Sequence, residues 1–181
     1  MIVEAKGLDE AIRHLKEYKD QLVYYKMKRL IERLAEEGIQ VASARFSNAQ
    51  YAGHNDVECR IEWTADGCCI VASGASVLFI EFGSGTFFYE HPKGAELGFI
   101  RGTYGQGRGA NPPWEYAGIL GENVPLGTTY ATNSKGIRQY SKDGEPLIKT
   151  MGNPPARAMY DAGKQLHEKV KEIAKEVFSH A

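Results

Sequence analysis

Apolar residues recur three or four positions apart over residues 8–46, which is the spacing of one face of an α-helix. This pattern predicts a long N-terminal helical arm over residues 8–46. The apolar register slips at residues 20–25, so we expect a short first helix followed by a longer second one. Gly38 is expected to weaken the second helix locally, because glycine is a poor helix former.

Two strands joined by a turn are predicted next. Residues 57–64 alternate between apolar and polar side chains, which is the period of a half-buried strand. The run at residues 68–72 is continuously apolar, so we expect a partner strand covered on both faces. The two runs predict an antiparallel hairpin over residues 57–72. Its three cysteines are expected to be small buried side chains rather than disulfide partners; they are Cys59, Cys68 and Cys69.

A short helix is predicted at residues 77–82, because Ser76 can cap its start and Gly83 can stop it. Residues 83–127 are rich in glycine and aromatic side chains and show no sustained helical period. We therefore predict a long loop over residues 83–127, of the kind that usually carries function or is ordered by a partner.

The last third of the chain predicts a second hairpin and a helix. Short strands are expected at residues 128–131 and 136–140, within a hairpin and loop region at residues 128–150. Strict three-or-four spacing predicts a C-terminal helix over residues 155–179, opened by two prolines. Together the elements predict an α+β fold, with a small antiparallel sheet packed against the N-terminal arm and the C-terminal helix. We expect one domain over residues 1–181, with long Gly/aromatic loops.

The charge balance argues against a protein that grips nucleic acid. Lysine and arginine number 22 against 23 aspartates and glutamates, a formal net charge of -1 over 181 residues. Binding through phosphate neutralisation needs a basic surplus. The chain also lacks a signal-peptide pattern and any apolar window long enough to span a bilayer, so we expect a cytoplasmic protein without a membrane partner.

Metal and cofactor motifs do not emerge from the spacing of the candidate ligands. The five histidines form no His-x-x-x-His or His-Glu-x-x-His pair, and the cysteines form no Cys-x-x-Cys pair. The Gly-Gln-Gly-Arg-Gly stretch at residues 105–109 lacks the strand, helix and Lys-Ser/Thr context of a phosphate-binding loop. We therefore expect no metal site and no cofactor.

The best acid/base set in the chain is Glu81 with Glu90 and His91, which a loop could bring together. The favoured interpretation is structural. Glu81 is expected to accept hydrogen bonds from turn amides around Gly83 and Gly85, or to pair with an arginine of a neighbouring subunit. On this interpretation the protein has no catalytic residues.

Two stretches carry a resemblance to a known family. Residues 79–86 read Phe-Ile-Glu-Phe-Gly-Ser-Gly-Thr, and residues 152–159 read Gly-Asn-Pro-Pro-Ala-Arg-Ala-Met. With an aromatic turn at Trp114 and Tyr116, they make the chain similar to the head–tail joining proteins of long-tailed bacteriophages and prophages. Members of that family are also described as neck, tail-completion or putative tail-component proteins. This chain departs from the family in two enlarged loops, at roughly residues 87–113 and 120–145.

The resemblance implies a structural virion protein rather than an enzyme. It implies a homo-oligomeric ring at the head–tail junction, with hexamer and dodecamer as alternatives. Its neighbours would be the head connector or stopper and the tail tube or terminator, and DNA would pass through the lumen without specific binding. The implied location is the virion neck or tail, after assembly in the cytoplasm of the bacterial host.

Oligomer and partner contacts are expected at the family motif, the loop aromatics and one arginine, because aromatic and arginine side chains concentrate interface energy. The candidates are Glu81, Phe82, Gly83, Gly85, Phe87, Phe88, Tyr89, Trp114, Tyr116, Arg138 and Tyr140. Two alternatives stay open. One is a small hydrolase that uses Glu81 and His91, and the other is a monomeric module that captures a protein partner with Phe87, Phe88 and Tyr89.

Overall fold

A single uninterrupted α-helix, α1 (Leu8–Ser47), forms the first part of the fold in the computed structural model, which describes residues 8–99 and 111–179. The expectation of two helices is therefore wrong. The register slip at residues 20–25 does not break the helix, because no proline or glycine stands there to interrupt its hydrogen bonds. The slip instead moves the apolar side chains to another side of the same helix. At 1.5 Å per residue, α1 is about 60 Å long.

The C-terminal helix, α3 (Ala158–Ser179), packs antiparallel along the second half of α1. Polar contacts mark its path; they join Arg45 to Asp161, Glu37 to Lys169 and Arg33 to Glu176. At the far end, the Lys26 ammonium donates a hydrogen bond to the carbonyl of Phe178. Residues 8–25 of α1 therefore extend past the end of α3, and we refer to them as the projecting segment.

The first sheet is the predicted hairpin. Strands β1 (Glu58–Trp63) and β2 (Cys68–Ser73) pair antiparallel, with Ile61 opposite Ile70. The expectation that β2 is covered on both faces is wrong, because a two-stranded sheet packs one face on α1 and leaves the other to solvent. Cys69 is exposed, which also corrects the expectation of three buried cysteines. Cys59 and Cys68 are half-buried, and all three thiols are free.

Gly38 lies where α1 crosses β2 and α3, and it is buried. A methyl group added there would lie 2.4 Å from Ile70 Cδ1 and 2.8 Å from Leu166 Cδ1. Both atoms are the ends of side chains, so a residue larger than glycine at this position would require Ile70 and Leu166 to shift. The helix runs through Gly38 without interruption.

The second sheet differs from the predicted second hairpin. Strands β3 (Trp114–Ala117) and β4 (Thr129–Tyr130) both pair antiparallel with a central strand, β5 (Leu147–Thr150). Residues 136–140, predicted as a strand, form only isolated bridges. β5 is the better partner because it buries Ile148 and Thr150, two of the largest fully buried side chains in the fold. β3 and a 3-10 turn, Gly85–Glu90, lie within the predicted long loop.

Helix α2 (Val77–Phe82) matches its prediction and brings Ile80 into the centre of the core. There Ile80 meets Phe46, Ala49 and Ala158, all buried. Half-buried side chains from the connection after α1, both strands of the first sheet, α2 and the start of α3 surround them; they are Tyr51, Val57, Cys59, Ala72, Val77, Ala156 and Met159. The α+β fold class is thus confirmed.

Candidate functional site

The two stretches that carry the family resemblance lie side by side. The Ser84 amide donates to the carbonyl of Asn153 at 2.9 Å, and the Thr86 amide donates to the carbonyl of Met151 at 3.1 Å. The Ala156 amide in turn donates to the carbonyl of Ile80 at 2.7 Å. We refer to these two stretches, with Met151 and Tyr160 added at the ends of the second one, as the joint; it comprises residues 79–86 and 151–160.

Asn153 is the polar centre of the joint. Its side-chain amide donates to the carbonyl of Phe79 at 2.8 Å, and its Oδ1 accepts the Ser84 hydroxyl at 2.6 Å. Asn153 and Ser84 are both buried. Because a buried polar group is costly unless it is hydrogen-bonded, this mutual satisfaction holds the two stretches in one register.

Two glycines let the backbones of the joint touch. Gly85 has φ +63°, and a Cβ added there would lie 2.0 Å from the carbonyl oxygen of Met151. Gly152 has φ +110°, and its added Cβ would lie 2.1 Å from the carbonyl oxygen of Ser84. Both positions therefore require glycine, for conformation and for space.

Glu81 caps the start of α3, although the two are far apart in the sequence. Its Oε2 accepts the amide of Met159 at 3.0 Å, and its Oε1 accepts the amide of Tyr160 at 3.1 Å. A carboxylate on the free amides at a helix N-terminus is stabilising through both hydrogen bonding and the helix dipole. The residue before the helix, Arg157, has φ +53° and offers no such acceptor.

This arrangement corrects two predictions. Glu81 does accept backbone hydrogen bonds, as expected, but its donors belong to α3 and not to the turn around Gly83 and Gly85. The C-terminal helix begins at Ala158 rather than at residue 155, because residues 154–157 form the extended side of the joint. The Arg157 amide donates there to the carbonyl of Glu81 at 3.2 Å.

His91 lies beside Glu81, with its Nε2 3.4 Å from Glu81 Oε1. The two atoms do not meet in hydrogen-bond geometry. The Nδ1 of His91 accepts the amide of Lys93 at 3.1 Å, which assigns the proton of the neutral ring to Nε2, facing the carboxylate. The side chain of Glu90, the third member of the predicted acid/base set, lies outside the described residues.

Aromatic rings cover the Glu81 and His91 pair. The His91 ring lies 4.5 Å from Phe82 and 5.7 Å from Tyr160, and Phe82 stacks on Phe99 at 3.9 Å. Only 1% of the His91 side chain is exposed. Acid/base chemistry on a dissolved substrate would need these rings to move, whereas the capping of α3 needs no movement.

The interface candidates fall into a buried set and a more accessible one. Glu81, Phe82, Gly83 and Gly85 are buried in the joint. Phe87, Trp114 and Tyr116 are half-buried; Arg138 is exposed and stacks 3.9 Å above the Tyr130 ring; and Tyr140 is 57% exposed. Phe88 and Tyr89 lie in the 3-10 turn, and their side chains are outside the described residues. The contact role of all these residues stays a prediction.

Two residues that hold this region together were missed in the sequence. Asn153 stands between a glycine and a proline, a place typical of a turn, so nothing marked it as a buried bridge. Asp56 accepts the amides of Ala75 at 2.7 Å and Ser76 at 2.9 Å, together with the Ser76 hydroxyl. Ser76 is therefore held by Asp56 and does not cap α2 with its side chain. The Ser76 hydrogen bonds lower the pKa of Asp56 from its ordinary value.

Within residues 8–99 and 111–179, no group of three or more His, Cys, Asp or Glu side chains is positioned to hold a metal ion. None of the helices in that part of the chain combines the length and apolar composition that a bilayer crossing requires. No protein-family model matches the chain, and neither curated proteins nor solved structures give a significant match. The family resemblance therefore rests on the residues quoted for it.

Proposed function

We propose that the protein is a structural virion subunit that forms a ring at the head–tail junction of a long-tailed bacteriophage. The ring links the head connector to the tail and lets DNA pass. The observation that carries the proposal is the joint, because the two stretches behind the resemblance, which residues 87–151 separate in the chain, are hydrogen-bonded to each other. The hydrogen bonds of the joint hold the start of α3 against α2, which is a structural role.

Exposed apolar side chains outside the joint supply contact surface for such a ring. Leu126 is 95% exposed, on the loop before β4. Several other large apolar side chains on the loops are also exposed; they are Leu97, Ile119, Ile137 and Tyr140. Tyr140 is the candidate among them with an aromatic ring, and aromatic residues are enriched where subunits meet.

The charge of the chain supports the DNA-passage part of the proposal. A net charge of -1 gives no general surplus that would bind phosphates tightly. A lumen that releases DNA must avoid such binding. The neighbours above and below the ring would be the head connector or stopper and the tail tube or terminator.

The ring is tested by native mass spectrometry across a concentration series, with negative-stain images of the same samples. We expect discrete closed rings, alone or with a neck partner. Tyr140→Glu should shift the mass towards the monomer, while Lys171→Glu, the same new side chain on the outer face of α3, should leave it unchanged. A protein that stays monomeric at every concentration and binds no connector or tail protein would contradict the proposal. A monomer that binds a protein from outside the phage particle would favour the alternative of a protein-binding module.

A small hydrolase is the second candidate, because Glu81 and His91 do lie 3.4 Å apart. It would need the aromatic cover to open for substrate. The test is turnover of a panel of ester, phosphoester and glycoside substrates by the wild type, Glu81→Gln and His91→Asn. Activity lost in both variants with the native mass unchanged would favour the hydrolase, and a wild type without turnover on the panel would count against it.

A further inference from the structure

Strand β1 forms an open edge of the first sheet. Its strand neighbour is β2, and within residues 8–99 and 111–179 no further strand pairs with it. Four of the six residues of β1 are exposed, against one of six in β2. The largest of them, Trp63, is 56% exposed. An edge strand presents unpaired N–H and C=O groups, to which another strand can bind.

The backbone groups at this edge belong to every second residue of β1. The Thr64 amide donates to the carbonyl of Gly67 at 2.9 Å, so these two residues form a hydrogen-bonded pair at the turn. Bonded and non-bonded pairs alternate along an antiparallel ladder. The even-numbered residues of β1 are therefore bonded to β2. The odd-numbered ones, Cys59, Ile61 and Trp63, point their N–H and C=O groups away from β2.

The charges on the outer face of β1 are complementary to those of a second copy of the same strand. Glu58, Arg60 and Glu62 alternate in sign along this face and are all exposed. The Arg60 Nε donates to Glu62 Oε1 at 2.8 Å, so the two side chains already pair along the strand. Two antiparallel copies can also place Arg60 of each opposite Glu62 of the other. Because directly opposite side chains of opposite charge attract, the charge order favours a second copy of β1 at this edge.

The register that matches the charges also matches the backbone. With Arg60 opposite Glu62 of the partner copy, Ile61 lies opposite Ile61, and Cys59 lies opposite Trp63. These are the residues whose backbone groups point outward, so they can form three hydrogen-bonded pairs between the copies. The apolar side chains of the three residues then lie on the same face of both copies.

Other registers fit less well. A shift that keeps the outward-pointing residues opposite one another brings Arg60 opposite Arg60, or Glu62 opposite Glu62, where like charges repel. A larger shift that brings Arg60 opposite Glu58 has complementary charges. It places Trp63 opposite residue 55, beyond the partner's β1, and so loses part of the pairing.

We propose that two copies of the chain associate edge to edge through β1 and form a continuous antiparallel sheet of four strands. The two β1 strands would lie about 4.8 Å apart over a length of about 20 Å. This contact is small compared with the roughly 1,600 Å² of a standard interface, so we expect weak pairing. The contact is two-fold symmetric and joins two copies only. It does not rest on the ring, because β1 contains none of the candidate ring contacts.

Sedimentation equilibrium on the full chain, up to high protein concentration, tests the pairing. Arg60→Glu sets acid opposite acid at two places in the dimer, and Glu62→Arg sets base opposite base. Each variant alone should dimerise at least about tenfold more weakly than the wild type. An equal mixture of the two variants should associate to within about threefold of the wild type, because every opposite pair is then complementary. Loss of the contact between Arg60 and Glu62 within one chain cannot produce this rescue, since both variants lack that contact.

The matched control is a second pair of variants on the exposed face of α3. Lys171→Glu and Glu168→Arg change the net charge of the chain by the same amounts as the two β1 variants. Alone or mixed, they should dimerise within about twofold of the wild type. A wild type that stays monomeric throughout, or a mixture of the β1 variants that associates no more tightly than its components, would overturn the proposal.

Thr64 tests the register, because the proposed pairing places it opposite Glu58 of the partner copy. Thr64 is exposed. Thr64→Arg should tighten the dimer about threefold, and Thr64→Glu should weaken it by a similar factor. In the register that brings Arg60 opposite Glu58, residue 64 lies beyond the partner's β1. Equal dimerisation of the two Thr64 variants would therefore overturn the proposed register. Tyr140→Glu should leave the dimer unchanged, so a failure of the ring and a failure of this pairing are distinguishable.

Discussion

The joint buries a charged side chain, whereas the projecting segment exposes apolar side chains. In the joint, Glu81 is only 5% exposed and its charge is met by amides of the same chain. In the projecting segment, Leu15 is 67% exposed and its apolar surface lacks cover. The comparison shows that a carboxylate within an apolar run can stabilise the fold. It also shows that a helix with regularly spaced apolar residues can leave them exposed to solvent. Each prediction below tests one side of this contrast.

The largest effect is expected where the backbones of the joint touch. Gly85→Ala should lower the free energy of unfolding by about 3 kcal/mol or more, because the new methyl meets the Met151 carbonyl and φ is positive. Gly136→Ala is the control, since Gly136 has φ +76° with open space around it. Gly136→Ala should lower the free energy of unfolding, measured with urea, by about 1 kcal/mol. Equal losses would mean that close packing at Gly85 contributes little.

Glu81→Gln tests the cap itself. An amide keeps one acceptor but loses the charge that favours the N-terminus of α3, so we expect a loss of about 2 kcal/mol in the free energy of unfolding. Glu168→Gln, on the exposed face of the same helix, should stay within about 0.5 kcal/mol of the wild type. If both variants unfold like the wild type in urea, the carboxylate does not stabilise the joint.

Asp56→Asn should lower stability at neutral pH by about 1–2 kcal/mol, because the carboxylate accepts two amides and a hydroxyl. The pKa of Asp56 is lower in the fold than in the unfolded chain, so its contribution is present above pH about 4 and is lost as pH falls through the folded pKa. Urea unfolding at pH 7, 5 and 3 should show the gap between variant and wild type closing at low pH. Asp66→Asn, in the exposed turn of the hairpin, is the control, and a gap independent of pH would contradict the assignment.

The smallest effect is expected in the projecting segment. Leu15→Glu should leave the free energy of unfolding of the monomer within about 0.5 kcal/mol of the wild type, because the side chain is already in water. The measurement is urea unfolding at a concentration too low for association. A loss above about 1 kcal/mol would show that the segment packs on its own body, and the contrast with the joint would fail.

Much of the fold could be predicted from spacing alone. The first hairpin and the C-terminal helix follow from side-chain periods that act over a few residues. α2 was predicted instead from Ser76 and Gly83 at its ends, although Ser76 does not cap the helix with its side chain. The central strand β5 was missed, because four residues carry too short a pattern to signal a strand. The single α1 was also missed, because a change of apolar side looks in sequence like a break between two helices.

The candidate site was found in part. Glu81, Gly83 and Gly85 stood out as a motif, and acceptance of backbone amides by Glu81 was expected. Its donors were not, since Met159 and Tyr160 lie 78 and 79 residues further along the chain. Asn153 and Asp56 were missed for the same reason, as their partners are distant in sequence and ordinary in type.

By itself, the sequence determined the α+β class, the positions of most helices and strands, and the two stretches that now form the joint. These depend on local periodicity and on glycines and prolines, whose effects reach only a few residues. Only the tertiary structure decided that the two stretches meet, that a carboxylate on α2 caps α3, and that α1 carries apolar side chains on two different sides. Such outcomes depend on which distant groups satisfy a buried charge or cover an apolar surface, and that is settled when the elements pack.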